Sequence, residues 1–214
     1  MSRELPRWKR SLDLICIALS VPIWLPLMIL VTLGIKLVST GPVLFRQTRI
    51  GYGGKPFVCV KFRTMRVNVE TRSHETHLER LIRSDCPMTK LDASGDPRLI
   101  PLGRFIRATG LDELPQIFNV IRREMSLVGP RPCTLAEFQN YQPSQRERVN
   151  ALPGLTGYWQ INGKNKTTFS QMISMDLYYI TNMSLLLDLM IMMGTVPWVI
   201  EQVIEHSGAV SGKH

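Results

Sequence analysis

Cysteine and histidine are scarce in this 214-residue chain, with four of each. The cysteines form no CxxC pair and no cluster with the histidines, which argues against a structural zinc site and against a disulfide framework. A chain without disulfides fits a reducing compartment. Internal repeats and low-complexity tracts are also absent from the sequence, so neither a repeat protein nor a disordered tail is expected.

Acidic residues are too few to balance the basic ones. The chain has 17 acidic and 26 basic residues, a net formal charge of +9. This excess favours an anionic partner such as a phosphate, an anionic lipid or a nucleic acid. No helix-turn-helix, RNA-recognition or zinc-finger signature accompanies the charge, and the basic residues form no single stripe, so we expect no nucleic acid partner. A membrane-anchored basic binding protein is kept as the non-enzymatic alternative.

Residues 14–35 form a long apolar run, 22 residues without a charge. As a helix the run would reach about 33 Å, enough to cross a bilayer core of about 30 Å. A spanning helix is therefore the simplest interpretation. Pro22 and Pro26 near the middle, with basic residues on both flanks, favour instead a helix that enters the membrane, bends and returns. A cleaved signal peptide is disfavoured because no A-x-A site follows. A buried helix of a soluble protein is the remaining alternative.

The rest of the pattern predicts an α+β fold that is predominantly helical with a small β-hairpin. Residues 43–47 and 56–64 are the expected strands, joined by a glycine-rich turn at 51–54. Basic residues decorate this hairpin, and their simplest interpretation is a solvated face. Helices are expected at residues 99–108, 112–122, 135–149 (a polar surface helix) and 169–179, with a loop at 153–163.

Two segments leave alternatives open. Residues 70–90 are polar and mixed in charge, which indicates an exposed helix or a mobile lid. His74 and His77 lie within this segment without an evident third metal ligand. Residues 183–204 are apolar and methionine-rich, typical of either a core helix or an interfacial amphipathic helix.

Asp112 and Glu113 are adjacent carboxylates at an expected helix start. Acidic residues are common there because they meet the positive end of the helix dipole, and Thr109 with Asp112 resembles a capping arrangement. That structural role explains the pair by itself. The same position also suits catalysis, because a helix N-terminus and a nearby guanidinium keep a carboxylate ionised. An ionised aspartate can attack phosphorus and form an acyl-phosphate.

Two arginines near the carboxylates are candidate phosphate ligands. Arg107 precedes Asp112 by five residues, and Arg131 lies between two prolines. Both side chains offer planar sets of donors to phosphate oxygens, although a surface ion pair and a loop anchor are the structural alternatives. Mg²⁺ is commonly held by one or two carboxylates together with phosphate oxygens, so Asp112 and Glu113 are also the candidate metal ligands.

The order of short motifs resembles the bacterial sugar transferase family, the small monotopic phosphoglycosyl transferases. The resemblance extends from Lys9 to about Glu201. Its blocks are Lys9-Arg10-Ser11-Leu12-Asp13, Gly41-Pro42-Val43-Leu44-Phe45-Arg46-Gln47, Lys61-Phe62-Arg63-Thr64-Met65, Gly95-Asp96-Pro97-Arg98, Leu111-Asp112-Glu113-Leu114-Pro115-Gln116, Ser126-Leu127-Val128-Gly129-Pro130-Arg131-Pro132 and Pro153-Gly154-Leu155-Thr156-Gly157. Each block alone is weak, whereas their occurrence in this order is specific.

The resemblance implies transfer of a phosphosugar from a UDP-sugar to undecaprenyl phosphate, with release of UMP. It implies Mg²⁺, a covalent intermediate on Asp112, and a role for Glu113 in metal positioning or proton transfer. Arg107 corresponds to a phosphate-binding arginine of the family. The family's segment linked to nucleotide binding corresponds to Pro130, Arg131 and Pro132. Its basic motif near the site corresponds to Lys61 and Arg63.

The resemblance also implies an organisation in two parts. Residues 1–38 would be a re-entrant helix-break-helix anchor, and residues 39–214 a cytoplasmic catalytic domain lying on the inner membrane, in contact with anionic lipid. In the family a Ser-Pro pair breaks the helix, and here Leu25-Pro26 is aligned with it. Lys164 replaces the frequent arginine of a Gly-Arg-Asn motif. The chain corresponds to the minimal catalytic form, without extra N-terminal spanning helices.

Several properties stay open at this stage. A single displacement, with a carboxylate as general base, is the alternative reaction, and a catalytically inactive scaffold for glycan assembly is a further one. Downstream glycosyltransferases are expected partners of the first membrane step in exopolysaccharide, O-antigen or glycoprotein glycan synthesis. The sugar, the pathway and the oligomeric state do not follow from the sequence.

Overall fold

The computed structural model describes residues 5–66, 98–163 and 167–197. Within these ranges eight α-helices and four short strands follow one another. Their bounds are α1 Arg7–Val38, β1 Leu44–Ile50, β2 Pro56–Phe62, α2 Gly103–Ala108, α3 Ile117–Ile121, β3 Ser126–Val128, α4 Leu135–Gln139, α5 Pro143–Arg146, β4 Gly154–Thr156, α6 Tyr158–Ile161, α7 Phe169–Thr181 and α8 Leu185–Pro197. The expected α+β class, mostly helical with a small hairpin, is confirmed. The expected lid with His74 and His77, and Lys164, lie outside the described residues.

The four strands form two small sheets. β1 and β2 pair antiparallel from Leu44 opposite Phe62 to Ile50 opposite Pro56. The turn between them contains a 3₁₀ segment, Tyr52–Gly54, in which Gly53 takes a positive φ of 65°. The predicted hairpin is therefore confirmed. β3 and β4 pair in parallel, which brings the segment before Pro130 against the segment after Pro153.

α1 is a single helix of 32 residues that continues through Pro22 and Pro26. The expected interruption at the prolines is not confirmed. The helix is about 48 Å long, and its length and composition would allow it to cross a membrane. Its exposed apolar side chains include Ile15, Leu19, Ile23, Leu25, Ile29, Leu30, Leu33 and Leu37. This apolar face is consistent with membrane association.

The opposite face of α1 packs on the rest of the protein near both of its ends. Ile17 joins a cluster with Cys59, Ile117, Val120 and Met125. Val31 and Ile35 join a second cluster with Phe62, Ile100 and Ile106. Arg10 donates to the carbonyl oxygens of Val120 (2.6 Å) and Ile121 (2.7 Å), where a cation meets the negative end of α3. Both ends of α1 therefore contact the same domain.

Buried polar contacts hold the first turns of α1. Lys9 Nζ donates to Asp188 Oδ2 (2.5 Å) and to the Tyr179 hydroxyl oxygen (2.8 Å). The Asp13 carboxylate accepts hydrogen bonds from the Ser126 hydroxyl (3.0 Å) and from the backbone N–H of residue 127 (2.9 Å). Charged groups withdrawn from water are stable only with such partners, so these contacts fix the start of α1 against α7, α8 and β3.

α8 has features of both a core helix and an interfacial helix, the two alternatives that the sequence left open for this segment. Asp188 and Ile191 are buried, as in a core helix. The other face exposes large apolar side chains, namely Leu185, Leu186, Leu189, Met190, Met193 and Val196. α8 is therefore amphipathic, with one face packed and one face available to a membrane interface.

The prediction of one polar surface helix over residues 135–149 is wrong. The segment forms α4, α5 and a 3₁₀ turn, Glu147–Asn150. Pro143 begins α5, since proline is compatible with the first turn of a helix but not with the interior of a longer one. Glu137 and Arg148 are buried rather than exposed, because each has charged partners inside the fold.

Replacement of Lys9 by methionine tests the anchoring of α1. Lys9→Met leaves the buried Asp188 carboxylate without its cation, so we expect a loss of about 3 kcal/mol in the free energy of unfolding. Urea unfolding in detergent micelles measures the loss. Lys36→Met, at an exposed position near the other end of α1, is the matched control. A loss in Lys9→Met no larger than in this control would contradict a stabilising role of the contact.

Candidate active site

The carboxylate pair lies in a 3₁₀ segment, Leu111–Gln116, rather than in the α-helix predicted from residue 112. Gly110 takes a positive φ of 71° and turns the chain after α2. Pro115 has no N–H to donate within the segment, and the regular helix α3 begins at Ile117. Asp112 and Glu113 still occupy the first turn, where the free N–H groups of a helix start are available.

The predicted cap by Thr109 is wrong. The Thr109 hydroxyl donates back to the carbonyl oxygens of Phe105 (2.9 Å) and Ile106 (3.1 Å) in α2. No side chain caps the 3₁₀ segment. Thr109 therefore closes the end of α2 and does not serve the segment that carries the carboxylates.

Asn119, a fully buried residue of α3, joins this helix to the hairpin. Its side-chain amide donates to the carbonyl oxygen of Val58 (2.7 Å), and its side-chain oxygen accepts from the N–H of Val60 (3.2 Å). The same amide nitrogen also donates to Glu124 Oε2 (2.6 Å). Asn119 thus pairs with β2 much as a neighbouring strand would, and it satisfies backbone groups that would otherwise lack partners.

The hairpin presents Lys61 to the carboxylate pair. Lys61 Nζ donates to Glu113 Oε1 at 2.7 Å. Burial and the adjacent charge of Glu113 raise the pKa of the half-buried Asp112 from 3.8 to about 6. Lys61 and Arg107 act in the opposite direction, because nearby cations favour the ionised form. The structure therefore brings together four of the predicted residues, Asp112, Glu113, Arg107 and Lys61.

Asp112 and Glu113 suit a divalent cation that is shared with a phosphate. The described residues contain no group of three or more histidine, cysteine or acidic side chains that could hold a metal by themselves. Mg²⁺, however, is often bound through one or two carboxylates and the phosphates of a substrate. Burial and, after it, repulsion from Glu113 raise the pKa of Asp112, and a divalent cation bound by the pair would relieve the repulsion. The pair is thus chemically compatible with Mg²⁺.

Arg131 is held by both its side chain and its backbone. Arg131 Nη1 donates to Glu137 Oε1 at 3.1 Å, and Arg148 Nη2 donates to the Arg131 carbonyl oxygen at 3.0 Å. The Arg131 side chain remains 32% exposed. It is therefore fixed but accessible on one side, as a phosphate-binding arginine must be.

The loop that carries Arg131 touches the following loop backbone to backbone. Pro130 accepts a hydrogen bond from the N–H of Gly154 at 2.9 Å. A Cβ atom at Gly129 would lie 2.2 Å from the carbonyl oxygen of Leu152, and one at Gly154 would lie 2.1 Å from the Gly129 nitrogen. Glycine is required at both positions because the two chains have no space for a side chain.

Arg49 is the second cation beside this loop, and it is not part of the solvated face predicted for the hairpin. Its side chain is only 11% exposed and lies 3.6 Å from Glu137 Oε2. It also donates to the Gln47 side-chain oxygen (3.1 and 2.7 Å) and to the Pro132 carbonyl oxygen (3.2 Å). Arg49 thus ties the Pro130–Pro132 loop to the hairpin.

The Cys59 thiol lies within the electrostatic influence of both the carboxylate pair and this arginine cluster. Burial raises the pKa of Cys59, and the charges of Lys61 and Glu113 on one side, and of Arg49 and Arg131 on the other, all act on it. The hairpin register places Gln47 opposite Cys59, and Phe45 opposite Lys61. These four side chains lie on one face of the sheet.

Arg63 lies apart from the contacts that define the carboxylate pair. It is buried, and its Nη2 donates to the Ser39 carbonyl oxygen at the end of α1 (3.3 Å). Its Nε and Nη1 atoms are buried and have no hydrogen-bond partner among the residues that the structure describes. The predicted phosphate contact of Arg63 stays a prediction, and it would be made beside Ser39, at the C-terminal end of α1.

Sequence reasoning missed Arg49, Asn119, Glu137, Arg148 and the partner of Arg148, Asp176. One available signal was period-two alternation in the hairpin, which places Arg49 on the same face as Lys61. Thr134 followed three residues later by Glu137 was a visible capping box, and both of its hydrogen bonds are present. The burial of Asn119 and Arg148 had no local signal.

The arrangement of carboxylates and cations fits an enzyme that works on phosphate groups beside an apolar surface. Comparison with known proteins agrees with this class. Residues 5–202 match the bacterial sugar transferase family, and the chain belongs to that family. The family assignment expected from the sequence motifs is therefore confirmed.

Relatives from several bacteria are similar over most of the chain. A UDP-glucose:undecaprenyl-phosphate glucose-1-phosphate transferase of Caulobacter vibrioides is 42% identical over 197 residues, covering 88% of this chain and 68% of that protein. The exopolysaccharide production protein ExoY of Sinorhizobium fredii is 37% identical over 189 residues, covering 88% and 84%. An undecaprenyl-phosphate galactose phosphotransferase of Salmonella typhimurium is 36% identical over 200 residues, covering 91% and 40%. This chain thus spans less than half of the Salmonella relative.

The raised pKa of Asp112 makes its ionisation unfavourable for the folded state. Below its ordinary pKa of 3.8 the carboxyl group is protonated in both folded and unfolded chains, and above the folded pKa of about 6 the full cost applies. Asp112→Asn should therefore raise the free energy of unfolding by roughly 1 to 3 kcal/mol at about pH 8, and by almost nothing at about pH 4. Urea unfolding in the presence of EDTA measures the difference. An equal gain at both pH values would contradict the raised pKa.

Proposed function

We propose that this protein transfers a phosphosugar from a UDP-sugar to undecaprenyl phosphate, giving undecaprenyl-diphosphate-sugar and UMP. The observation that carries the proposal is the Asp112–Glu113 pair, half-buried and flanked by Lys61 and Arg107, in a chain of the bacterial sugar transferase family. The names of the Caulobacter and Salmonella relatives support undecaprenyl phosphate as the acceptor. The ExoY relative supports a role in exopolysaccharide synthesis.

The proposed reaction proceeds in two displacements at the phosphorus that carries the sugar. An Asp112 carboxylate oxygen attacks this phosphorus, and the bond to the bridging oxygen breaks, so that its electron pair leaves with UMP. The aspartyl-phosphosugar then meets a phosphate oxygen of undecaprenyl phosphate. That oxygen forms the new bond to phosphorus, and the Asp112 carboxylate leaves unchanged. Two easier steps replace one difficult transfer between a soluble and a lipid substrate.

The residues around Asp112 would bind and orient the diphosphate. Arg107 and Lys61 supply positive charge beside the attacking carboxylate, and Arg131 supplies an accessible guanidinium across the hairpin face. Pro130 and Pro132 restrict the backbone on either side of Arg131. Bound Mg²⁺, with Asp112 and Glu113 as ligands, would neutralise the diphosphate and help UMP to leave. Glu113 would position this metal or assist proton transfer.

Arg63 is suited to the lipid phosphate rather than to the nucleotide. It adjoins Ser39, the residue that ends α1, and two of its nitrogen atoms have no hydrogen-bond partner within the described part of the chain. A buried guanidinium with unused donors is unfavourable, so an arriving phosphate group would satisfy it. We therefore assign Arg63 to the phosphate of the lipid substrate.

A single displacement is the second candidate reaction, and one observation favours it. The pKa of Asp112 is raised to about 6, and a group whose pKa lies near the working pH is suited to general base catalysis. In this reaction Asp112 would accept a proton from the acceptor phosphate, and no bond would form between Asp112 and phosphorus.

We infer that the protein lies on the cytoplasmic face of the bacterial inner membrane, with α1 as a re-entrant anchor. Packing of residues near both ends of α1 against the rest of the protein supports the inference, because a helix that crossed the bilayer would leave one of its ends without these contacts. The exposed apolar faces of α1 and α8 would enter the lipid. Residues 1–38 then form the anchor, and residues 39–214 form a catalytic domain at headgroup height, where basic residues meet anionic lipid.

Intact-mass analysis distinguishes the two reactions. Mixing the protein with Mg²⁺ and a UDP-sugar, without lipid, should give an adduct heavier by one phosphosugar, together with one equivalent of UMP. Adding undecaprenyl phosphate should discharge the adduct. Because the sugar is open, a panel of UDP-glucose, UDP-galactose and their N-acetylated forms is used.

Asp112→Asn is the matched variant for this experiment, because it keeps the shape of the side chain and removes the nucleophile. We expect neither adduct nor turnover from it, while its thermal unfolding remains cooperative. Turnover by the wild type without a trapped adduct, at any quench time, would favour the single displacement instead.

Labelling tests the topology. Single cysteines at positions 2 and 211, in a background whose native cysteines are replaced by serine, should both resist a membrane-impermeant maleimide in spheroplasts. Both should react after permeabilisation, because both ends of the chain would face the cytoplasm. Reaction of only one of the two before permeabilisation would contradict re-entry and indicate a spanning helix.

A further inference from the structure

Glu137 is a buried carboxylate that the proposed reaction does not use directly. Its side chain has no exposed surface, and it lies in the first turn of α4. One carboxylate oxygen accepts from Arg131 Nη1, and the other accepts from the backbone N–H of Thr134. In return the Thr134 hydroxyl oxygen accepts from the Glu137 N–H at 3.1 Å. The carboxylate is therefore held in one orientation by its own capping box.

The same carboxylate faces a second guanidinium, that of Arg49. Burial alone would raise the pKa of Glu137, but Arg131 and Arg49 together lower it below its ordinary value. Arg148, paired with Asp176, completes the cluster through its bond to the Arg131 carbonyl oxygen. Three arginines and two carboxylates leave one positive charge, close to the place where the proposed function requires a diphosphate.

We propose that Glu137 is the positioning residue of Arg131, which it orients so that the accessible side of the guanidinium binds the diphosphate of the nucleotide sugar. The inference rests on the proposed function and adds a positioning residue to the same binding site. Only Nη1 of Arg131 bonds to Glu137, and one-third of the side chain remains exposed. An arginine held on one side by a buried carboxylate loses little side-chain entropy when phosphate oxygens bind on the other.

A purely structural role for Glu137 is the competing explanation, since loss of its capping box would also destabilise α4. The two roles differ in what they do to substrate binding. A positioning role acts through Arg131, so the effect of a Glu137 substitution must depend on whether Arg131 is present. A structural role lowers stability in either background and has no special dependence on Arg131.

The test is a double-mutant cycle of Glu137→Gln with Arg131→Gln, on the full chain in detergent micelles. Calorimetry with UDP measures affinity, and turnover of whichever panel UDP-sugar the wild type accepts gives KM and kcat. We expect Glu137→Gln to raise both the Kd for UDP and the KM by about tenfold, with a smaller change in kcat. In the Arg131→Gln background the same substitution should change neither value further.

Asp13→Asn is the matched control, because Asp13 is another buried carboxylate with polar partners, outside the arginine cluster. It should leave the affinity for UDP unchanged. If Glu137→Gln does not fold, Glu137→Asp replaces it in the double-mutant cycle. This variant keeps the negative charge but moves the carboxylate away from Arg131 by the length of one methylene group. We expect a smaller rise in Kd from this variant.

The outcomes separate this inference from the proposed function. A wild type that binds neither UDP nor any UDP-sugar would contradict the proposed function itself. A wild type that binds UDP, with an equal Kd in Glu137→Gln, would overturn only the positioning role. Equal loss of affinity in both Arg131 backgrounds, or in the Asp13→Asn control, would assign Glu137 a structural role instead.

Discussion

The side-chain amide of Asn119 is the contact on which the rest of the site depends. It bonds to both a carbonyl oxygen and an N–H group of β2, and so holds α3 against the hairpin. The carboxylates precede α3 and Lys61 lies on β2, so this amide helps to set the distance between them, together with the packing of Cys59 against Ile117. A neutral group suits the position, because a buried charge there would require its own partner close to the reacting groups.

The start of α1 and the loop of Arg131 are both held by buried polar contacts, on opposite sides of this site. On one side, Lys9 and Asp13 hold the start of α1 with buried polar contacts, while Ile17 packs beneath α3. On the other side, Glu137 and Arg148 hold the loop of Arg131. The hairpin lies between them. The pKa of Cys59, on the hairpin, is affected by charges of both the carboxylate pair and the arginine cluster. An apolar helix and the loop of Arg131 therefore share one rigid support, which would suit the proposed reaction between a lipid and a soluble nucleotide.

The sequence correctly predicted those parts of the fold whose own residue pattern indicates their structure. Alternation and a glycine-rich turn predicted the hairpin, and an uncharged run predicted α1. The motif order predicted that Asp112, Glu113 and Lys61 belong to one site, and the structure brings them together. Residues 135–149 looked like a solvated helix because polar composition alone does not reveal burial. Glu137 and Arg148 are buried only because partners distant in sequence, such as Asp176, neutralise them.

The facing glycines at positions 129 and 154 carry a consequence for how variants of such proteins are interpreted. Each backbone occupies the volume that a methyl group on the other would need. Alanine, the usual probe of side-chain function, adds here the very atom that cannot be accommodated. An inactive Gly154→Ala protein would therefore report a displaced Arg131 loop, and would say nothing about a lost contact to substrate.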